Sequence, residues 1–243
     1  MIVPTGYHTQ NKHNPKISTH HVRIPRFLFP LVADKVPFFI PGAGAIVFLD
    51  KDMKFTMKLS LVGSSGKAVD SRIGTLVLET SYLITRPNCP SKSAYYVRIP
   101  RPFYNSVVRY KPVFEVSKLA IVLVTDNELK SLLKGSLTVD LQINPIDGDG
   151  AKRRGKVKML LTVTELCQLG MQLSAVAYAI GSRKLTDKYI RLAAETGLIN
   201  IENGWCNTTK LGRIALKNGE PRIRRLLRKI REEIENRSSE KSE

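Results

Sequence analysis

The chain has 243 residues, and its 42% hydrophobic and 25% charged content is typical of a globular protein with one large or two smaller domains. No apolar run approaches the roughly 18 residues of a membrane span, and because the N-terminus lacks a basic region followed by an apolar one, we expect no signal peptide. The formal net charge of +18 attracts polyanions, so nucleic acid is the expected partner and an anionic membrane surface is the alternative.

The cysteines and histidines indicate neither a disulfide framework nor a metal site. Cys89, Cys167 and Cys206 lie far apart without CxxC spacing, which favours buried thiols in an intracellular setting: cytoplasm or nucleoid, or nucleus or virion if the protein is viral. The four histidines lie between residues 8 and 21 without acidic or cysteine partners at metal spacing. Phosphate loops, HExxH motifs and nucleophile elbows are absent from the sequence, so we predict a non-enzymatic protein with no cofactor and no metal.

Residues 1–19 are polar and are predicted to form a flexible arm, with the histidines in or near it. An internal repeat follows, because residues 22–47 and 97–122 align with an offset of 75 residues and no gap. Eleven of these 26 positions are identical, including the whole block VRIPR. Each copy is predicted to form a short β-branched strand, a proline stop, a short apolar segment and a strand that ends in AIV.

Period-two alternation predicts further strands at 54–61 and 136–143, and the run 75–85 is another strand candidate. We therefore predict a mostly-β domain over residues 20–146. Its repeat units, at about 20–90 and 95–146, would pack as a barrel or a sandwich. With the helical C-terminal half, the predicted fold class is α+β.

The VRIPR blocks resemble the strand, V-x-I-P, basic residue, short helix and strand core of swapped-hairpin AbrB-type DNA-binding domains. In that family two such units build one barrel, and basic residues beside the Ile-Pro step contact DNA. The Gly-Asp turn expected before the closing strand is missing here, and the alternative is a duplicated β-sandwich with arginines on a solvated edge. The resemblance implies nucleic-acid contacts by Arg23, Arg26, Arg98 and Arg101.

Residues 147–158 are predicted to be a glycine-rich basic linker, because glycines and Pro145 interrupt regular structure there. A basic run on a tether commonly contacts phosphates, and the same run could equally be a solvated connector. The candidates for phosphate contact on this linker are Lys152, Arg153 and Arg154.

Helical periodicity after the linker predicts two short helices at 163–170 and 173–180 and a longer one at about 185–196. Gly197 occupies a position typical of a helix C-cap, and Asn203-Gly204 is a strong hairpin turn between two short strands. A last short helix is predicted at 210–216, capped by Thr208 or Thr209.

This order of helices and hairpin resembles a winged helix-turn-helix domain, here residues 159–218. The resemblance implies that the third helix enters the DNA major groove, with its N-terminal half near the bases. The hairpin tip carries only Glu202 as a charge, which counts against a strong wing contact, and Trp205 is expected in the core. The binding candidates of this domain are Arg183, Lys184, Thr186, Lys188, Tyr189, Arg191 and Lys210.

Residues 219–237 are predicted to form an amphipathic helix that begins near Pro221, with an apolar stripe on one face. Such a stripe packs on its own domain or on a second copy, and we expect a homodimer through residues 222–237. The polar tail 238–243 is expected to be disordered.

Together these patterns predict a double-stranded DNA-binding transcription regulator. The alternative is a basic viral structural, matrix or movement protein that coats nucleic acid or binds an anionic membrane surface. A salt series on duplex DNA, single-stranded RNA and anionic liposomes separates the two.

Overall fold

The structure, a computed structural model, describes residues 1–11, 13, 18–51, 53–89, 92–145, 155–218, 223, 225 and 228. The chain divides into two units, Met1–Asp147 and Gly148–Glu243, and the division falls inside the segment where the sequence pattern predicts a linker. The fold is mixed α+β, with 35% of the described residues in helices and 39% in strands, which agrees with the predicted fold class.

The N-terminal unit begins with strands, where a flexible arm is predicted. Its elements up to the first long hairpin are β1 (Ile2–Pro4), β2 (Tyr7–Gln10), β3 (Thr19–Ile24), a 3-10 helix (Arg26–Leu31), β4 (Val36–Ile40) and β5 (Ala45–Leu49). The elements that follow are β6 (Phe55–Gly63), β7 (Ala68–Gly74), β8 (Leu78–Glu79), β9 (Tyr82–Thr85), β10 (Ala94–Ile99) and α1 (Arg101–Val107). The unit ends with β11 (Lys111–Glu115), a 3-10 turn (Val116–Lys118), β12 (Ala120–Val124), α2 (Asp126–Leu133) and β13 (Leu137–Pro145).

The repeat is present in the fold and is longer than the sequence match. The bounds of β2, β3, β4 and β5 recur in β9, β10, β11 and β12 with the same offset of 75 residues that aligns the sequences. The left-handed backbone positions recur with it, at Asn11 and Arg86 and at Gly44 and Leu119. The repeat units therefore begin near the N-terminus and at about residue 76, so the predicted arm and the predicted starts at 20 and 95 are wrong.

The pairing of the strands relates the two halves by a pseudo-two-fold axis. The β3–β10 ladder is centred on Val22 opposite Val97, and the β5–β12 ladder on Ile46 opposite Ile121. Each of these pairs joins equivalent positions of the two copies, which is what a two-fold axis through the ladder requires.

The edge strands cross from one half to the other. Strand β1 of the first half pairs with β11 of the second, and β8 of the second half pairs with β4 of the first. In the described part of the chain the largest sheet has the order β1-β11-β12-β5-β4-β8, and a second sheet the order β2-β3-β10-β9. None of the described sheets closes into a barrel, because edge strands such as β1 and β8 do not pair with each other; the barrel option is therefore wrong.

Side-chain contacts, like the edge strands, cross from one half to the other. The Tyr7 hydroxyl donates to the Val107 carbonyl at 2.7 Å, and the equivalent Tyr82 hydroxyl donates to the Val32 carbonyl at 2.6 Å. Aromatic stacking follows the same rule: His20 stacks on Tyr104, and Tyr95 stacks on Phe29. Each half thus completes the packing of the other.

A third sheet, β13-β6-β7, covers one side of the core of this unit. Alternate residues of β6, from Phe55 to Leu61, are buried, as its period-two pattern predicts. Helix α2 begins with a capping box, in which the Thr125 side chain accepts from the Glu128 backbone and the Glu128 carboxylate accepts from the Thr125 backbone.

The elements of the C-terminal unit are α3 (Lys156–Leu166), a 3-10 turn (Cys167–Leu169), β14 (Met171–Gln172), α4 (Leu173–Ile180), α5 (Arg183–Glu195), β15 (Ile199–Glu202), β16 (Trp205–Thr208) and α6 (Lys210–Asn218). The three strands form the sheet β14-β16-β15. Helix α3 begins at Lys156, seven residues before the predicted start at 163. The linker predicted at 147–158 therefore extends too far, because its last three residues belong to α3.

Local sequence explains the turns of this unit. The Ser182 side chain caps α5 by accepting from the Leu185 backbone, and Gly197 at the end of α5 has a φ of +68°. Asn203 and Gly204 both have positive φ, as the predicted hairpin turn requires. The Thr209 hydroxyl accepts from the Gly212 backbone at 3.0 Å, which confirms the predicted cap of the last helix.

Several predictions fall on residues outside the described part of the chain. They concern Lys152, Arg153 and Arg154, the predicted disorder of residues 238–243, and most of the amphipathic helix predicted at 219–237. Of residues 219–237 the structure describes Ile223, Arg225 and Arg228, which are helical, with the isoleucine buried and both arginines exposed. Among the described residues, no helix is long and apolar enough to cross a membrane.

Candidate nucleic-acid interface

Helix α5 has one buried and one cationic face. Thr186, Tyr189, Ile190 and Ala193 point inward, at positions i, i+3, i+4 and i+7. The opposite face is exposed and carries the basic side chains Arg183, Lys184, Lys188 and Arg191. The sequence-predicted set is thereby divided between the two faces.

Thr186 and Tyr189 are wrong as nucleic-acid contacts. Only 1% of Thr186 and 8% of Tyr189 is exposed, and the Thr186 hydroxyl donates to the Ser182 carbonyl of the preceding turn at 2.6 Å. Their places on the helical wheel, beside Ile190 and Ala193, assign them to the core.

The exposed face of α5 and the first residue of α3 line an open groove of about 490 Å³. The lining residues from α5 are Lys184, Asp187, Lys188, Arg191, Leu192 and Glu195, and the one from α3 is Lys156. Four of these side chains are cationic and two are anionic. Lys156 falls within the linker predicted at 147–158, and only the tertiary structure brings the start of α3 beside α5.

The charged side chains along α5 in this groove do not pair with each other. Within the described residues, no ion pair or hydrogen bond is formed by the side chains of Lys184, Asp187, Lys188 or Arg191. A surface whose ionic groups form no internal pairs leaves its donors and acceptors available to a ligand.

The hairpin between β15 and β16 presents little positive charge. The Asn200 amide donates to the Glu202 carboxylate at 2.6 Å, and Asn203 and Gly204 at the tip are exposed. Lys210, at the start of α6, is exposed. Trp205, predicted to lie in the core, is half-buried.

Two of the cysteines meet inside this unit, although they lie far apart in sequence. Cys167 follows α3 and Cys206 lies on β16, both are buried, and their thiols are hydrogen-bonded to each other. This hydrogen bond and burial raise the pKa of the Cys167 thiol. The pair packs as two small buried side chains, and Cys89 in the other unit is half-buried.

In the N-terminal unit the four candidate arginines form two symmetric pairs. Arg23 and Arg98 occupy equivalent positions of β3 and β10, and Arg26 and Arg101 begin the two equivalent helical segments. All four are exposed. The pseudo-two-fold axis therefore relates Arg23 to Arg98 and Arg26 to Arg101.

His8, His20 and His21 lie in β2 and β3, near Arg98 and Arg23 of the β3–β10 ladder, rather than in a solvated arm. His8 stacks on Tyr96 with ring centroids 4.8 Å apart, and His21, opposite Arg98 in the ladder, is only 3% exposed. Burial, and then the positive charge of His8, Arg98 and His20, lowers the pKa of His21 to about 4. Among the described residues, no three His, Cys, Asp or Glu side chains are arranged to hold a metal ion.

Comparison of the chain with protein-family models and with curated proteins finds no match.

Proposed function

We propose that this chain is a double-stranded DNA-binding regulator whose C-terminal unit, residues 159–218, is a winged helix-turn-helix domain. The observation that carries the proposal is the exposed cationic face of α5, whose ionic side chains are uncommitted within the described residues. In a helix-turn-helix the second helix of the pair lies in the major groove, and α4 and α5 are joined by the short Gly181-Ser182 turn that such a pair needs.

The chain order of the unit supports the same proposal. A helix, a short strand, two helices and a hairpin follow one another, and β14 pairs with β16 beside the hairpin. Strand β15 follows α5 directly, and in the N-terminal half of α5 the basic side chains lie on the exposed face. Arg183, Lys184 and Lys188 would contact phosphates, and Arg191 would reach a base edge.

The N-terminal unit would supply a second contact through its two symmetric arginine pairs. A surface with two-fold symmetry suits duplex DNA, whose phosphate backbones are themselves related by two-fold axes. The exchange of strands between the halves favours the swapped-hairpin resemblance, whereas the described sheets do not close into the barrel of that family. We also retain the predicted homodimer through residues 222–237 as part of this proposal.

The second candidate function is a nucleic-acid coating protein of viral type. It is favoured by the spread of the positive charge, since the net charge is +8 over residues 1–150 (19 basic and 11 acidic) and +10 over residues 151–243 (20 basic and 10 acidic). A protein that coats nucleic acid or an anionic membrane needs charge on all of its surface and no reading helix.

Fluorescence anisotropy of the full chain on duplex DNA, single-stranded RNA and anionic liposomes, each as a salt series, tests the proposal. We expect tight duplex binding with a steep salt dependence and weak binding to the other two. Binding to single strands or liposomes that equals binding to duplex would contradict the regulator and favour the coating protein.

A double variant connects this measurement to α5. Arg183→Ala with Arg191→Ala should strongly weaken sequence preference on a selected duplex, because the phosphate contacts that remain carry no sequence information. Arg213→Ala with Lys217→Ala, on α6, removes the same charge from exposed positions outside the groove and should leave the preference intact. Equal losses in the two variants would sink the assignment of α5 as the reading helix.

A further inference from the structure

The groove beside α5 contains carboxylates that a purely phosphate-binding surface would lack. Asp187 lies on the cationic face, with Lys184 three residues before it and Arg191 four residues after it. The side chain is exposed, and it forms no hydrogen bond or ion pair within the described residues, although two cations are within helical reach. It is therefore an available acceptor rather than half of an internal salt bridge.

A carboxylate on this face has few compatible partners in DNA. It only accepts hydrogen bonds, and the phosphates that surround a helix in the groove repel it. On the edges of the bases in the major groove, the hydrogen-bond donors are the amino groups N4 of cytosine and N6 of adenine. Beside its amino group adenine presents N7, an acceptor that cannot bond to the second carboxylate oxygen. Cytosine presents no acceptor beside its amino group in the major groove, so it suits a carboxylate better.

We infer that Asp187 is a specificity-determining residue of α5 that accepts a hydrogen bond from the N4 amino group of a cytosine, so that the target duplex contains a G·C pair at this point. The inference rests on the proposed function, because it needs α5 in the major groove. It goes further by naming the base pair and the residue that reads it.

Helix geometry places a complementary donor next to this acceptor. Four residues separate Asp187 from Arg191, so the two side chains leave the helix about 6 Å apart along its axis and about 40° apart around it. About 6 Å corresponds to roughly two base-pair steps of 3.4 Å. Arg191 is suited to the O6 and N7 acceptors of guanine, so the pair is matched to two nearby G·C pairs.

The second carboxylate of the groove, Glu195, provides a matched control. It lies in the last turn of α5, about 12 Å along the axis from Asp187, and away from the N-terminal half that would enter the groove. Its charge contributes to the same surface, so removing it changes net charge equally.

The experiment is selection of bound sequences from a random duplex library by the full chain, followed by anisotropy on the selected duplex and on single-base-pair variants of it. The proteins are the unchanged chain and the variants Asp187→Ala, Asp187→Asn and Glu195→Gln. Thermal unfolding of each confirms that the exposed substitutions leave the fold intact.

We expect the unchanged chain to select a G·C pair whose replacement by A·T weakens binding roughly 5- to 100-fold. Asp187→Ala should lose that preference and keep the rest of the motif. Asp187→Asn should shift the preference towards adenine, because an amide matches the N6 and N7 pair. Glu195→Gln should select the same motif as the unchanged chain.

Two contrary outcomes are distinguishable. A motif that Asp187→Ala leaves unchanged, even if that variant binds random duplex more tightly, means that the carboxylate adjusts only the net charge and overturns this inference alone. Failure of the unchanged chain to select any duplex motif overturns this inference together with the proposed function.

Discussion

Arg72 is a buried cation of the N-terminal unit, and its removal should lower the unfolding free energy of that unit by more than removal of a surface charge. The guanidinium donates from Nε to Asp70 at 2.6 Å and from Nη1 to the Leu123 carbonyl at 2.6 Å, and Nη2 lies 3.6 Å from the Glu128 carboxylate. Its side chain is 6% exposed. One residue thereby connects β7, the end of β12 and the start of α2.

The expected cost of Arg72→Met follows from these contacts. Hydrogen bonds that involve a charged group contribute about 1.5–3 kcal/mol each, and breaking a buried ion pair costs about 3–5 kcal/mol because the partner charge stays behind. Asp70 and Glu128 keep about a fifth of their side-chain surface in water and can rehydrate in part, so we expect a loss near the lower end, about 3 kcal/mol.

Urea unfolding followed by far-UV circular dichroism measures this loss. With a slope of about 2 kcal/mol per molar urea, the midpoint of the N-terminal unit should fall by about 1–2 M. Trp205 is the single tryptophan and belongs to the other unit, so its fluorescence identifies which transition has moved.

Two further variants test the reasoning. Lys35→Met removes a half-buried cation whose partners, Asp34 and Asp50, are exposed and can rehydrate, so it should change the midpoint little. Arg72→Lys keeps the charge but cannot make the forked contacts, so it should fall between wild type and Arg72→Met. A midpoint for Arg72→Met as high as that for Lys35→Met would refute the reasoning.

Three other predictions follow from contacts described above. Gly212→Ala should destabilise the C-terminal unit by about 1–3 kcal/mol or more in urea unfolding, because a Cβ atom there would lie 2.1 Å from the Leu198 carbonyl oxygen. Tyr82→Phe should cost the N-terminal unit about 1 kcal/mol in the same measurement, through the lost hydrogen bond to Val32. His21, whose pKa is lowered to about 4, stays neutral in the folded protein at pH values where the unfolded chain takes up a proton on this side chain. Its contribution to the unfolding free energy is therefore fully present above about pH 6.5 and is lost as the pH falls to about 4. His21→Tyr should therefore flatten the pH dependence of the unfolding free energy between these limits, by at most about 3 kcal/mol.

Each of these has a result that would count against it. Gly6→Ala, where a Cβ atom meets nothing within 4 Å, should have little effect, and parity between Gly6→Ala and Gly212→Ala would remove the steric explanation. Tyr82→Phe without any loss would mean that the hydroxyl bond contributes nothing net. Parallel pH profiles for wild type and His21→Tyr would show that another group causes the acid sensitivity.

The repeat illustrates how far sequence comparison reaches. The VRIPR and AIV blocks are visible because their side chains fill the shared core, where few residue types fit. The first 21 residues of each copy share only Thr5, Tyr7, Pro15 and Ser18 with their equivalents 75 residues later, although they form the same strands. Backbone hydrogen bonds hold those strands and leave most of their side chains free to differ.

In the candidate interface the local elements could be predicted from the sequence, and the packing between helices could not. The bounds of α4 and α5 and the hairpin turn were predictable, because caps and turns depend on local residue types. The burial of Thr186 and Tyr189 could also have been predicted, since with Ile190 and Ala193 they follow i, i+3, i+4, i+7 spacing. The approach of Lys156 to α5, in contrast, depends on how α3 packs, which no local pattern contains.

Because the two interlocked halves belong to one chain, their sequences can diverge independently. A symmetric homodimer must place every substitution on both sides of its axis at once, whereas here each side is encoded separately. The equivalent positions 21 and 96, a buried histidine and a tyrosine, already differ, as do Gly44 and Leu119 at the left-handed turn. Encounter of the halves is also intramolecular, so their assembly does not depend on protein concentration. One half can therefore acquire a new chemistry while the other conserves the scaffold.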